Sequence, residues 1–369
     1  MEENIFGYSV DGNQISVRGA VDGKAAAAIT SLFNPGAIYV LDFEDVCSVN
    51  FAALREFLRT RKSGKRFCVI NASNEVCEKF EDTGVAYFVN ISRKPKALDI
   101  SKYTEFGASF LSKAFNSGDG DSMIKLYGPR VPKQMVAQEK AVAKAVMLFG
   151  LNTPLVGSLY TDGTNMALDF ERIEGKRSFS RIISEEPERL EEISAKFAKM
   201  CKELHVTPCD TNIFPDRSIL YRQAVTNCHE LPENVIKNAL KFLDGVPAET
   251  TCLHGDMQLS NVITTGKEDM WIDLSDFSYG NHMFDLGMLY FLSRLNPERR
   301  MQDLFHFGHE TMDKVWPVFM RGYFNVQTDE EIEEANRSIE PFAALHMIYL
   351  GSTYGFEPEL FGFINKYFG

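Results

Sequence analysis

The stretch from Leu253 to Leu274 constrains this chain more than any other. It reads His254-Gly255-Asp256-Met257-Gln258-Leu259-Ser260-Asn261 and runs on to Trp271-Ile272-Asp273-Leu274. Two short apolar runs, Val262-Ile263-Thr264 and Met270-Trp271-Ile272, flank Gly266-Lys267-Glu268, a composition that suits a hairpin turn. Pairing those runs brings Asn261 and Asp273 back together. An Asp, an Asn five positions on and a second Asp closing an apolar run are the set that phosphoryl transfer from ATP needs. Asp256 would orient an attacking hydroxyl and accept its proton. Asn261 and Asp273 would supply oxygens to Mg2+, a hard ion that prefers them. The bland alternative is a His-capped loop with surface acids. A match of this kind arises by chance in roughly one chain in several hundred, so the chemical reading is the stronger.

The chain has 369 residues, 44% of them hydrophobic and 24% charged, which is enough for two or three globular domains with real cores. Its net charge of −12 argues against nucleic acid or an anionic membrane as partner, because both need clustered Lys and Arg. Seven cysteines without a C-x-x-C pair suggest free thiols in a reducing compartment. No apolar leader core or membrane-length run is present, so a cytoplasmic location is expected.

Residues 1–92 alternate apolar strand-like runs with amphipathic helices. Strands are expected at Gln14–Val17, Ala37–Phe43, Arg66–Asn71 and Ala86–Ile91. Helices are expected at Ala25–Phe33, Phe51–Lys62 (capped by Asn50) and Asn74–Asp82. The pattern implies a small α/β unit, a sheet with helices packed on it. On AIYVLDFEDVCSVNFAALREFL, KRFCVINAS and VCEKFEDTGVAYF, this block resembles the STAS domain, the fold of anti-sigma-factor antagonists. The family's usual Asp-Ser-Ser-Gly is here Asn50, Phe51, Ala52 and Ala53. No hydroxyl stands there, so a phosphorylation switch at that loop is not expected. Residues 1–92 are instead expected to dock a protein partner or to self-associate. Residues 93–104, polar and broken by Pro95, read as a linker.

From Glu105 the pattern becomes strand, loop, strand, hairpin turn, strand, ending in Ser122–Tyr127. Lys125 lies among apolar neighbours, where an ammonium needs partners. Phosphates and a helix glutamate would provide them. Glu139, on a helix expected over Lys133–Phe149 and ended by Gly150, is the candidate. Gly107 and Ser109 mark a phosphate-side loop with few glycines. Asn165–Ile173 reads as a strand and connector, and the Glu171 carbonyl and Ile173 amide are the expected contacts to an adenine edge.

Residues 105–369 resemble the aminoglycoside phosphotransferase and choline kinase family, the small-molecule branch of the protein-kinase-like fold. HGDMQLSN matches its HGDxxxxN, and IDLSDFSYGNHMFDLG matches its second motif. The resemblance implies Asp256 as base, Asn261 and Asp273 as Mg2+ ligands, Lys125 and Glu139 at the phosphates, and Asp285 bracing the catalytic loop. His254 is expected to bond backbone rather than take part in chemistry. The expected fold class is α+β. A STAS-like domain (1–92) and linker (93–104) precede a β-rich N-lobe and hinge (105–173) and a mostly helical C-lobe (174–369). Only eleven residues separate Asp273 from Asp285, and no Ala-Pro-Glu follows, so a protein-substrate platform lacks room. The expected activity is an ATP- and Mg2+-dependent kinase acting on a hydroxyl of a small molecule: a sugar, an amino alcohol or an aminoglycoside-like compound. The alternative is a nucleotide-binding signalling module, a pseudokinase, acting through residues 1–92. His306 and His309 lack partners for a metal site, and the acids of Thr328–Asn336 are expected to be solvated or to attract an amine.

Overall fold

A computed structural model gives the fold; it describes all residues except 1–4, 35–36, 109–110, 117–119, 121, 212 and 357. The chain divides into two compact units, residues 1–173 and 174–369.

The first unit opens with β1 (Gly7–Asp11), β2 (Gln14–Val21), α1 (Gly23–Thr30), β3 (Ile38–Val49), α2 (Phe51–Lys62), β4 (Arg66–Ala72), α3 (Asn74–Asp82) and β5 (Asn90–Arg93). The five strands form one sheet in the order β1-β2-β3-β4-β5. β1 and β2 are an antiparallel hairpin, and β2 through β5 run parallel. Asp22, Asn50 and Ser73 each accept a first-turn N–H, which fixes where the three helices start. Side chains alternate across the sheet. Tyr39, Leu41, Phe43, Phe67 and Val69 join the core shared with α1, α2 and α3. Val40, Cys68 and Ile70 point to the other face and belong to a separate core.

That second core links to the rest of the unit: β6 (Lys96–Ala97), β7 (Thr104–Ala108), β8 (Ser112–Asn116), β9 (Ser122–Tyr127), α4 (Lys133–Phe149), β10 (Val156–Thr161) and β11 (Met166–Glu171). These strands form a six-stranded sheet in the order β6-β10-β11-β9-β8-β7. α4 ends where Gly150 takes φ 101°, a left-handed conformation that suits glycine.

Two expectations differ from this structure, and two strands were not foreseen. The stretch 93–104, expected as a linker, holds ordered and packed residues. β6 pairs parallel with β10, and Leu98 packs with Phe115, Ile124 and Ala167. Ile100 and Tyr103 pack against the same cluster, and these apolar residues are spaced among polar ones, so composition hides the packing. The closing strand of the N-terminal sheet starts at Asn90, because a short helical turn occupies Val85–Tyr87. β1 and β10 have no counterpart in the sequence reading.

The second unit carries β12 (Arg177–Ser178), α5 (Phe179–Glu185), α6 (Leu190–Val206), α7 (Arg217–Thr226), α8 (Glu233–Gly245), β13 (Thr251–Leu253), β14 (Val262–Thr264), β15 (Asp269–Trp271), β16 (Ser278–Gly280), α9 (Met283–Tyr290), α10 (Glu298–Phe305), α11 (His309–Phe324), α12 (Asp329–Tyr354) and α13 (Pro358–Phe368). It is mainly helical. Leu190, Ile193, Phe197, Cys201 and Leu204 bury one stripe of α6, as their spacing requires. Two short strand pairs, β13 with β16 and β14 with β15, hold the loops on which Asp256 and Asp273 lie.

Candidate active site

The loop after β13 is tied down by its own residues. His254 is fully buried, and both its ring nitrogens meet backbone: Nε2 lies 3.1 Å from the Ile272 carbonyl, and Nδ1 lies 3.2 Å from the Asp256 N–H. A carbonyl can only accept, so Nε2 carries the proton and Nδ1 accepts. Burial holds the imidazole below its ordinary pKa, which keeps it neutral. His254 is thus a strut, as its sequence context suggested.

Asp285, on α9, is the second anchor. Its carboxylate accepts the backbone N–H of His254 at 2.7 Å and of Gly255 at 2.9 Å. His205 of α6 reaches the same carboxylate at 3.2 Å, and its other ring nitrogen meets the Tyr323 hydroxyl at 2.6 Å. Burial alone would raise the Asp285 pKa, but the His205 hydrogen bond and nearby positive charge hold it below the usual carboxylate value.

A third anchor was not visible in the sequence. Arg217 opens α7 and is 2% exposed. It donates to the Gly255 carbonyl at 3.2 Å and faces the Asp276 carboxylate at 3.5 Å, with its guanidinium 5.3 Å from the Tyr221 ring and 5.2 Å from the Tyr349 ring. It therefore touches both the loop of Asp256 and the loop after Asp273. Those loops are in close contact: a Cβ on Gly255, whose φ is 81°, would lie 2.1 Å from the Asp276 carbonyl oxygen. Only glycine fits.

Between these anchors the three expected residues converge. Asp256 is partly exposed and accepts Nδ2 of Asn261 at 2.9 Å. Gln258 donates to both its carboxylate oxygens, at 3.3 and 3.4 Å. β14 and β15 pair with Val262 opposite Trp271, and the Ile272 N–H reaches the Asn261 carbonyl at 3.0 Å. That bond sets Asp273 beside Asn261, as the hairpin reading required. Asp273 has φ 59°, a left-handed conformation that Asp tolerates better than most residues. Desolvation pushes the Asp256 carboxyl up to about 7, and the charges of Asp273 and Asp276 add to the rise.

This donor set fits a divalent cation. The Asn261 amide spends Nδ2 on Asp256, which leaves Oδ1 as its acceptor end. The charges of Asp273 and Asp276 act on Asp256, and that concentrated negative charge is the field a hard cation would relieve. Among the described residues, no group of three or more His, Cys, Asp and Glu is placed to hold a metal ion. His309 bonds the Asn296 carbonyl at 2.9 Å, and His306 ends α10 in a left-handed conformation, so neither forms a separate centre.

In the first unit, Lys125 of β9 meets Glu139 of α4 at 2.8 Å, and the two side chains are 19% and 9% exposed. The pair is shielded enough for the glutamate to fix the ammonium. Gly107 lies on β7 at a break in register with β8. Ser109 lies outside the described residues. Glu171 ends β11, where its N–H bonds the Leu155 carbonyl at 2.8 Å, and Ile173 is the last residue of the unit. The acids after Thr328 start α12 through reciprocal bonds between Thr328 and Glu331, and most of them face solvent. All seven cysteines are free. Among the described residues, no helix is long and apolar enough to cross a membrane.

The sequence pattern of the family described as phosphotransferase enzymes matches residues 103–317. Among solved structures, a thermostable mutant of an aminoglycoside phosphotransferase, in ternary complex with AMP-PNP and hygromycin B, is similar at 12% identity. The match spans 72% of this chain and 92% of that one with a TM-score of 0.50. A type VIII aminoglycoside-3'-phosphotransferase matches at 17% identity over 65% of this chain and 94% of that one, TM-score 0.45. A choline/ethanolamine kinase family protein from Mesorhizobium loti matches at 15% identity over 72% and 85%, TM-score 0.42. At such identities the likeness shows the fold alone: protein-kinase-like, β-rich in its N-terminal part and helical in its C-terminal part. No curated protein gives a significant sequence match.

Proposed function

The chain belongs to the phosphotransferase enzyme family, and from that premise we propose that it transfers the γ-phosphoryl group of ATP to a hydroxyl of a small molecule. The acceptor class is a sugar, an amino alcohol or an aminoglycoside-like compound. One observation carries the reading: Asp256, Asn261 and Asp273 converge through the Asn261 Nδ2 bond to the Asp256 carboxylate and the Ile272–Asn261 backbone bond.

In this reading Asp256 accepts the proton of the acceptor hydroxyl. The freed oxygen forms its bond to the γ-phosphorus, and the bond from that phosphorus to the bridging oxygen breaks, which releases ADP. Gln258 and Asn261 hold the Asp256 carboxylate so that its orientation does not depend on the acceptor. Lys125, fixed by Glu139, presents its ammonium to the phosphates. The Glu171 carbonyl and Ile173 amide are the proposed adenine contacts, and Gly107 and Ser109 flank the proposed phosphate loop. Mg2+, held by Asn261 and Asp273, would neutralise phosphate charge when bound. The mixed five-stranded sheet with three helices on one face supports the STAS-like reading of residues 1–92.

A signalling role without catalysis would tolerate erosion of the base or its supports, and none is eroded here. The test is ATP consumption over a panel of hydroxyl-bearing sugars and amines. Turnover of one class, lost in Asp256→Asn, supports the proposal. MgATP binding with no turnover across the panel would overturn it in favour of the signalling reading.

A further inference from the structure

The N-terminal sheet has two apolar faces. One is covered by α1, α2 and α3 and gives residues 1–93 a core of their own. The other presents Val40, Cys68 and Ile70, all under 8% exposed. What covers it is α4, through Val136 and Ala137, with Leu159 and Leu168 of the six-stranded sheet completing the same core. α4 therefore lies between two sheets. Two residues beyond Ala137 on the same helix stands Glu139, whose carboxylate holds Lys125 at 2.8 Å.

We propose that the N-terminal α/β domain is an intramolecular brace for nucleotide binding: its outer sheet face seats α4 so that Glu139 holds Lys125 ready for phosphate. The inference rests on the phosphotransfer reading and gives residues 1–93 a role in it.

Burial of Val40 and Ile70 takes apolar surface out of water and so stabilises the seat. That burial exists only while α4 occupies its seat. An α4 that slides or rotates exposes both the sheet face and its own Val136, and it also moves Glu139 away from β9. The two events are one displacement of one rigid helix, so they share a free energy. Linkage then runs both ways: the brace favours MgATP, and MgATP favours the brace. Covering the face with α4 also leaves no exposed apolar surface there for another protein, so this face serves the chain itself.

The experiment is a double-mutant cycle on the full chain, read as MgATP dissociation constants. Ile70→Ala should weaken MgATP about 5-fold or more, the lower end of ordinary coupling, while Ile70→Val stays near wild type. Glu139→Gln should weaken it further. In the Glu139→Gln background, Ile70→Ala should have almost no additional effect, because its influence passes through that carboxylate. Val136→Ala, made from the helix side, should reproduce Ile70→Ala. Circular dichroism and exchange protection of α1 and α2 establish that the N-terminal core is intact. Amide exchange in α4 should quicken in Ile70→Ala and slow again with saturating MgATP. If folded Ile70→Ala and Val136→Ala bind MgATP as wild type does, or if their effects add fully to Glu139→Gln, the brace is wrong and the phosphotransfer reading stands. If wild type binds no MgATP, both fall together.

Discussion

Arg217 donates through Nη2 to the carbonyl oxygen of Gly255 at 3.2 Å, one residue before the proposed base. The same guanidinium faces Asp276, three residues after the proposed metal ligand Asp273. A buried cation thus joins the two loops that carry the proposed base and the proposed metal ligand. Arg217→Met keeps the stem and removes the donors. The unsatisfied Gly255 carbonyl should lower stability by about 1–3 kcal/mol in urea unfolding. Turnover should fall through kcat, with KM for ATP much less affected. Unchanged kcat in a folded variant would remove Arg217 from the account.

Asp285 offers two carboxylate oxygens to two backbone N–H groups and to His205. Asp285→Asn replaces one acceptor by a donor, so one buried N–H faces an NH2 group. The loss expected is about 3 kcal/mol of stability together with most of the turnover. Asp285→Asn with wild-type stability would mean that the loop is held elsewhere.

Gly255→Ala should be more damaging than its single methyl group suggests. The added Cβ would meet the Asp276 carbonyl oxygen at 2.1 Å in a backbone conformation of φ 81°. Neither the carbonyl nor the loop can yield without moving Asp256. The expected result is near-complete loss of turnover. Should the chain remain soluble, MgATP affinity should weaken far less than kcat. An active Gly255→Ala enzyme would contradict the tight apposition of these loops.

His346 sets an acid limit. It is 2% exposed, its Nδ1 lies 2.9 Å from the Tyr221 hydroxyl, and burial together with the Arg217 charge pushes its pKa from 6.5 down to about 3. The folded value lies below the unfolded one, so the unfolded chain binds the proton first. This contribution to stability is complete above pH 6.5 and is lost as pH falls from there toward 3. The loss should reach roughly 2 kcal/mol by about pH 5. Urea midpoints measured from pH 8 to 4.5 should fall more steeply in wild type than in His346→Phe. Parallel curves would show that His346 does not govern the acid limb.

Much of this was legible in the sequence because the signals were local. Asn50 caps α2 at the expected residue, and α4 spans Lys133–Phe149 as its pattern and Gly150 required. The Val262–Trp271 hairpin follows from two apolar runs around a glycine turn, and the hairpin itself brings Asn261 to Asp273. Arg217 and His205 were not legible. Each reaches the proposed site from a separate helix, Arg217 across 38 residues to Gly255 and His205 across 80 to Asp285. No spacing rule links such positions. The one available hint was a charged residue at the start of α7, on the stripe that also buries Tyr221 and Val225. The seat of α4 was hidden for a related reason. Val40, Cys68 and Ile70 complete unbroken apolar runs at Ile38–Leu41 of β3 and Phe67–Ile70 of β4, which signals burial on both faces, but nothing in those strands says which helix covers the second face.

The most direct test compares wild type with Asp256→Asn in two assays run together: MgATP binding, and phosphate transfer to a panel of small hydroxyl compounds. The account expects wild type to phosphorylate at least one class, and Asp256→Asn to bind MgATP while transferring about 100-fold less phosphate or worse, the scale of a lost general base. Asp256→Asn that transfers phosphate as fast as wild type would contradict the role given to Asp256 and, with it, the assignment of these loops as the place of reaction.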